Sequence, residues 1–214
     1  MLVRERMTTH PVVVRPELPV PDALSLMRER KVRRFPVLDA KDNLVGIVSD
    51  KDLLYASPSP TTSLSVWEIQ SLLGKLKVEK VMAKQVVTVA EDTPLEDAAR
   101  LMAEKKIGGL PVMRGKDLVG IITETDIFRS FLDLLGGYRK GVRITAKIAS
   151  GKGTMARITQ AVFQAGGDIV GLGATEDANT SDWEIAVKVQ GVEKNKLVEA
   201  LTPVVKEIID ARGA

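Results

Sequence analysis

An α+β fold is what this sequence predicts: two β-α-β-β-α repeats packed as one module, then a β-α-β-β-α-β unit of ferredoxin-like order. Three observations carry that expectation. The first 135 residues hold one pattern twice, 75 positions apart. Within each copy the apolar period switches between 2 and 3.6, as alternating strands and helices require. A Gly136-Gly137 break then opens a third segment with strand and helix periods of its own.

The repeat is read residue by residue. Met7 matches Met82, Val12 and Val14 match Val87 and Val89, and Pro19, Asp22 and Ala23 match Pro94, Asp97 and Ala98. Leu26-Met27 matches Leu101-Met102, and Phe35-Pro36-Val37 matches Leu110-Pro111-Val112. After a one-residue deletion, Gly46-Ile47-Val48-Ser49-Asp50-Lys51-Asp52 matches Gly120-Ile121-Ile122-Thr123-Glu124-Thr125-Asp126.

Each copy opens with a β-rich run, Val12–Val14 or Val86–Val89. A helix follows, with Val20, Ala23, Leu24 and Met27, or Leu95, Ala98, Ala99 and Met102, on one face. Two strands come next, Phe35–Leu38 and Leu44–Val48, then Leu110–Met113 and Leu118–Ile122, each pair joined by a turn rich in Asp, Lys, Asn or Gly. A last helix starts near Ser49 or Thr123. A unit of about 60 residues buries little surface alone, so the two copies are expected to pack face to face. The expected boundaries are 1–62 and 78–135 for the repeats and 63–77 for a linker helix. In that linker Ser65 and Glu68 form a capping box, Val66, Ile69 and Leu73 share a face, and Gly74 stops the helix.

Beyond a short linker at 136–140, the segment 141–214 begins with Val142, Ile144, Ala146 and Ile148 alternating with Arg143, Thr145 and Lys147, a half-buried strand. The turn Ser150–Gly153 leads into a helix from Thr154 to Ala165 whose buried face is Ile158, Ala161, Val162 and Ala165, ended by Gly166-Gly167. Asp168–Ala174 and Trp183–Val189 read as strands and Asn195–Leu201 as a helix. Val204–Ile209 reads equally as strand or helix.

The β-α-β-β-α order, with an apolar-Pro-Val step and a closing Gly-x-x-[Ser/Thr]-x-x-Asp in both copies, resembles the CBS domain. Two in tandem resemble a Bateman module over residues 1–135. Residues 141–212 resemble an ACT domain. Many ACT domains bind amino acids in a first loop rich in Asp, Pro and Gly. Here that loop, Gly151-Lys152-Gly153-Thr154, has neither Asp nor Pro, so the resemblance implies the fold and not an amino-acid site. The combination resembles AcuB-type acetoin-utilisation accessory proteins.

Composition narrows the function classes. With no cysteine, disulfides, thiolate metal sites and a cysteine nucleophile are absent, which fits a cytoplasmic protein. The one histidine, His10, stands before Pro11 and reads as a loop residue at a strand entrance. The longest uncharged stretch, Leu53–Trp67, carries Ser57, Pro58, Ser59, Pro60, Thr61 and Thr62 and is no membrane span. The N-terminus lacks an apolar signal core. Gly151-Lys152-Gly153-Thr154 lacks the leading Gly and the hydroxyl residue of a phosphate loop, and Gly171-Leu172-Gly173 has Glu176 where a dinucleotide motif needs Gly. Trp183 reads as a core or interface residue. Nothing selects a catalytic set, so no enzyme is expected.

Two chemistries fit Ser49…Asp52 and Thr123…Asp126. One is a capping box, in which hydroxyl and carboxylate serve their own helix start. The other is ribose recognition, since a carboxylate near a helix start can accept hydrogen bonds from ribose hydroxyls. In CBS domains these positions are typical ribose contacts, and the resemblance favours that role for both pairs. It also implies an adenine slot lined by the first strand and the apolar-Pro-Val step: Val12, Val13, Phe35 and Pro36 in the first copy, Val86, Val87, Leu110 and Pro111 in the second. Gly108-Gly109 stands where the first copy has Arg33-Arg34, so the two sites are expected to differ, with room at Gly109 and filling or phosphate binding at Arg34. The basic cluster Arg28, Arg30, Lys31, Arg33 and Arg34 reads as a solvated helix end or as a phosphate site. Nucleic acid is the weakest of the three readings, because no helix-turn-helix signature is present and aromatics are few. The implied function is a regulatory sensor of AMP, ADP, ATP or S-adenosylmethionine, working as a homodimer with no membrane partner. The alternative is an interaction scaffold with empty clefts.

Overall fold

A computed structural model of the chain describes residues 1–56, 74–177 and 181–213. The linker-helix residues 63–73 therefore lie outside the described residues. The chain divides into two units, 1–127 and 128–214.

In the first unit the leading copy runs β1 (Thr8–Thr9), α1 (Val20–Arg30), β2 (Arg34–Leu38), β3 (Leu44–Ser49) and α2 (Asp50–Tyr55). The second runs β4 (Val89–Ala90), α3 (Leu95–Lys105), β5 (Gly109–Arg114), β6 (Asp117–Thr123) and α4 (Glu124–Leu134). A single 3-10 turn precedes each copy, Val3–Glu5 and Val78–Lys80. The helix faces are those of the 3.6 period. Val20, Ala23 and Met27 are buried in one core, and Leu95, Ala98 and Met102 in the other, while Leu24 and Ala99 sit at the margin. Both first helices end in a left-handed lysine, Lys31 (φ 53°) and Lys106 (φ 55°). The next residue in each case, Val32 or Ile107, donates its N–H back to the carbonyl of Met27 or Met102, both at 3.0 Å.

The β-rich run at the start of each copy is shorter than its sequence suggests. Val14 makes a single parallel bridge to Val37. Of Val86–Val89 only Val89 enters a strand, in parallel register with Val112.

The segments ahead of those runs are exchanged between copies. Thr8 and Thr9 pair antiparallel with Ile121 and Gly120 of β6 in the second copy. Ala83, ahead of the second copy, pairs with Ile47 of β3 in the first. The cores follow the same exchange. Val3 is buried with Val89, Leu95, Leu110, Val112 and Ile122. Val78 is buried with Val14, Val20, Phe35, Val37 and Leu53. Glycine makes the crossings close: Met82 Sδ packs on Gly46 and Met7 Sδ on Gly120, where a β-carbon would collide with the sulfur.

The second unit begins inside α4. Gly137 N–H donates to Leu132 O at 2.6 Å, and Gly136 takes φ 64°, closing the helix as the Gly-Gly break predicts. The unit then runs β7 (Val142–Ile148), α5 (Thr154–Gln164), β8 (Asp168–Glu176), β9 (Trp183–Gln190), α6 (Lys194–Leu201) and β10 (Glu207–Gly213). Its sheet order is β10-β7-β9-β8, antiparallel throughout. Of the segment left open between strand and helix, Val204–Ile209, only Glu207–Ile209 is strand: the 3-10 turn Thr202–Val204, with Pro203 in it, ends the helical run before β10 pairs with β7. Val142, Ile144, Ala146 and Ile148 meet Ile158, Ala161 and Val162 of α5 in the core, and Trp183 packs against its edge. No helix among the described residues is long and apolar enough to cross a membrane.

Candidate ligand-binding cleft

The β2–β3 hairpin ends with Arg34 opposite Ser49, and the chain turns there into α2. Ser49 caps that helix. Its backbone N–H and its hydroxyl both donate to Asp52 Oδ2, at 2.8 and 2.6 Å, and Asp52 N–H donates to Ser49 Oγ at 3.3 Å. Asp52 Oδ1 has no hydrogen-bond partner among the described residues. In the second copy Thr123 N–H and Oγ1 donate to Asp126 Oδ2 at 2.9 and 2.6 Å. Both pairs thus serve their own helix starts, and in the first a carboxylate oxygen is left over.

A cavity of about 500 Å³ lies beside the first pair, within the size range of small-ligand sites. Ile47, Val87 and Ile107 supply apolar wall, and Ser49 and Asp52 supply the hydroxyl and carboxylate. Arg33, Arg34, Lys51 and Lys106 bring positive charge, and Asp50 and Glu124 bring negative charge. Ala83, Gln85, Gly108 and Gly109 complete the lining. A shallower groove of about 560 Å³ on the second unit, between α5 and α6, is lined by Ala156, Gln160, Ala161 and Ala200 with Arg157. It is of similar volume but more open, and it gathers one charge.

Of the residues that the sequence singled out, the structure brings Arg34, Ser49, Asp52, Val87 and Gly109 together around the cavity. Phe35 and Leu110 are fully buried and belong to the two cores, while Pro36 and Pro111 are buried in their strands. Val12, Val13 and Val86 are half-buried outside the cavity lining, as are Thr123 and Asp126. The strand exchange is the reason. The resemblance places Val12 and Val13 in the adenine slot of the first copy, but Ile47 pairs with Ala83, which brings Gln85 and Val87 of the other copy beside Ser49 and Asp52.

Sequence reasoning also missed Ile47, Asp50, Lys51, Ala83, Gln85, Lys106, Ile107 and Glu124. The signal that could have found them is the double recurrence of Met7/Met82 with Gly46/Gly120, a bulky side chain and a bare backbone matched across copies. The room expected at Gly108-Gly109 exists, and the Arg34 side chain lies in it. No group of three or more His, Asp or Glu side chains is placed to hold a metal among the described residues.

Several solved structures are similar to this chain, three of them as follows. The CBS domain pair of MJ0100, in complex with 5′-methylthioadenosine and S-adenosyl-L-methionine, is 26% identical, covering 65% of this chain and 98% of that one, with a TM-score of 0.52. AcuB of Vibrio cholerae is 35% identical over 64% of this chain and 93% of its own, with a TM-score of 0.53. CBSX2 of Arabidopsis thaliana, in complex with AMP, is 39% identical over 61% and 96%, with a TM-score of 0.50. The CBS domain model matches residues 3–59 and again 78–133, the two copies of the internal repeat. Two copies matched by the model, each carrying its hairpin and its hydroxyl–carboxylate cap, make this chain a member of the CBS domain family.

Proposed function

We propose that the chain is a regulatory sensor that binds an adenosine-containing ligand in the cleft beside Ser49 and Asp52. The observation that carries this reading is the spare Asp52 Oδ1 next to an apolar wall and a group of cations. A ribose hydroxyl can donate to the oxygen, a base can lie on Ile47 and Val87, and phosphate suits the arginines. The similar pairs in complex with AMP, and with 5′-methylthioadenosine and S-adenosyl-L-methionine, support the ligand class. Binding is read as a change in how the two copies pack, relayed by an ACT-like second unit. Its β10-β7-β9-β8 order supports that assignment. Coupling of this kind is typically worth about 1–3 kcal/mol. The working assembly is a homodimer in the cytoplasm. Phe128, Phe131 and Leu134 form an exposed apolar stripe on one helix that a second copy would cover.

A thermal-shift panel of AMP, ADP, ATP and S-adenosylmethionine on the full chain tests the reading, with sedimentation of the same samples to read the dimer. A ligand that prefers the native state raises Tm, and a Kd between about micromolar and millimolar suits a nucleotide sensor. If no ligand of the panel moves Tm, the scaffold reading replaces the sensor.

A further inference from the structure

The basic cluster at the end of α1 divides in the structure. Arg34 lines the cleft, while Arg28 and Lys31 stand outside it, on a second and smaller cavity of about 320 Å³. The apolar wall of that cavity is Leu24 and Met27 of α1, Val32 just past its end, and Leu54 of α2, whose side chain is half exposed. Arg28, Lys31 and Arg33 stand around the wall with one carboxylate, Asp50. None of the three cations has an ion-pair partner among the described residues. The second copy separates what the fold requires here from what it does not. Met27 and Val32 recur as Met102 and Ile107, which is core packing. Arg30 and Lys31 recur as Lys105 and Lys106, cations that suit a helix C-terminus. Arg28, Arg33 and Leu24 do not recur, and Ala103, Gly108 and Ala99 take their places. Both helices nevertheless close in the same way, on left-handed Lys31 and Lys106. The fold does without those two arginines and that leucine, yet they frame apolar surface left open to solvent.

We propose that this cavity is a docking site for an acidic peptide segment of a partner protein. One bulky apolar side chain of the segment sits on Leu24, Met27, Val32 and Leu54, and carboxylates on either side of it meet Arg28, Lys31 and Arg33. Charge sets the class of partner. Three cations against the single carboxylate of Asp50 leave the rim positive, and an arginine fork holds a carboxylate with two parallel hydrogen bonds. Size sets the anchor. Small-ligand sites run about 300–1,000 Å³, and at about 320 Å³ this cavity stands at the lower limit, which suits one anchoring side chain. The first copy alone carries the surface, so each chain takes one such segment. The proposal concerns the protein that the sensor addresses, and it does not depend on which ligand fills the cleft.

Fluorescence anisotropy of the full chain with a labelled peptide of Asp and Glu around one central Phe tests the site. Two control peptides carry Ser in place of the Phe, or Gln in place of the acids. Wild type should bind the first peptide about tenfold or more tighter than either control. Binding should weaken as salt rises from about 0.01 M to about 0.1 M, where the screening length falls from about 30 to about 10 Å. Arg28 and Lys31 are exposed and lie outside the cleft lining. Arg28→Ala combined with Lys31→Ala should cost the acidic Phe peptide about tenfold, and Arg28→Lys alone should cost less than Arg28→Ala. Leu54→Ser should erase the preference for Phe over Ser while leaving the salt dependence in place. Equal binding of the Phe and Ser peptides to wild type, or unchanged binding in the double variant, overturns the proposal. So does a double variant that sediments as monomer where wild type is a dimer, since a second copy would then be what covers the cavity.

Discussion

Ser49–Asp52 and Thr123–Asp126 are chemically the same device, a hydroxyl and a carboxylate bonded to each other across a helix start. They differ in surroundings, because the first pair lines the cavity and the second does not. That difference yields a control within one molecule. Asp52→Ala and Asp126→Ala each remove a cap, and each should cost about 1 kcal/mol of stability in urea unfolding. Only Asp52→Ala should weaken nucleotide binding, by roughly 1–3 kcal/mol in calorimetry. Equal weakening by both variants would move the ligand toward the second copy. From sequence the two aspartates are interchangeable, since the spacing that makes a cap also makes a ribose contact. Which of them lines this cavity is decided by residues from the opposite copy, and the local pattern carries no information about them.

At the scale of elements, strands and helices follow the apolar period closely, and the turns follow their polar residues. The second copy shows how a short element is pinned. Arg114, at the end of β5, donates two hydrogen bonds to Glu91, just past β4, at 2.6 and 2.7 Å. Those bonds hold the Glu91 carboxyl below its ordinary range and raise the Arg114 guanidinium. A carboxyl whose pKa is lowered by folding stabilises the protein above its unfolded pKa and loses that contribution as pH falls through the folded one. Glu91→Gln should therefore lower Tm slightly at neutral pH, since the Arg114 end of the pair is solvent-exposed and Glu91 is only partly covered. The gap between wild type and variant should close as pH drops through and below the ordinary glutamate value of about 4.3. Thermal melts of both proteins across that range check it, and a gap that widens in acid would be the wrong sign. The elements that sequence rendered poorly are those held by few hydrogen bonds. Val12–Val14 and Val86–Val89 have the composition of strands, yet each contributes only a short parallel contact to its hairpin. Composition favours an extended chain there but does not say how many residues find a partner.

Across the first unit, the feature that most constrains behaviour is that a copy in sequence is not the same set of residues as a core in space. Residues 1–9 precede the first helix, yet Val3 is fully buried in the second core and Met7 packs against it. Met1 and Val3 exchange backbone hydrogen bonds with Leu95 and Thr93, and Thr8–Thr9 cover the edge of β6. The core built on Phe35 and Val20 contains none of these residues. Deleting residues 1–9 should therefore damage the half that is distant in sequence. Losing the buried valine alone removes about 1.5–3 kcal/mol, and the bared β6 edge adds unpaired backbone groups. Hydrogen exchange should show β5 and β6 amides losing protection while the β2–β3 hairpin keeps most of its own, because regions open with their own free energies. Loss concentrated in β2–β3 would mean that the N-terminal segment packs with its own copy. The exchange also ties ligand to fold: the crossing that buries Val78 in the first core is followed, a few residues on, by the Ala83–Val87 segment beside Ser49. A ligand held there touches both copies at once, and whatever loosens one crossing should weaken binding as well as stability.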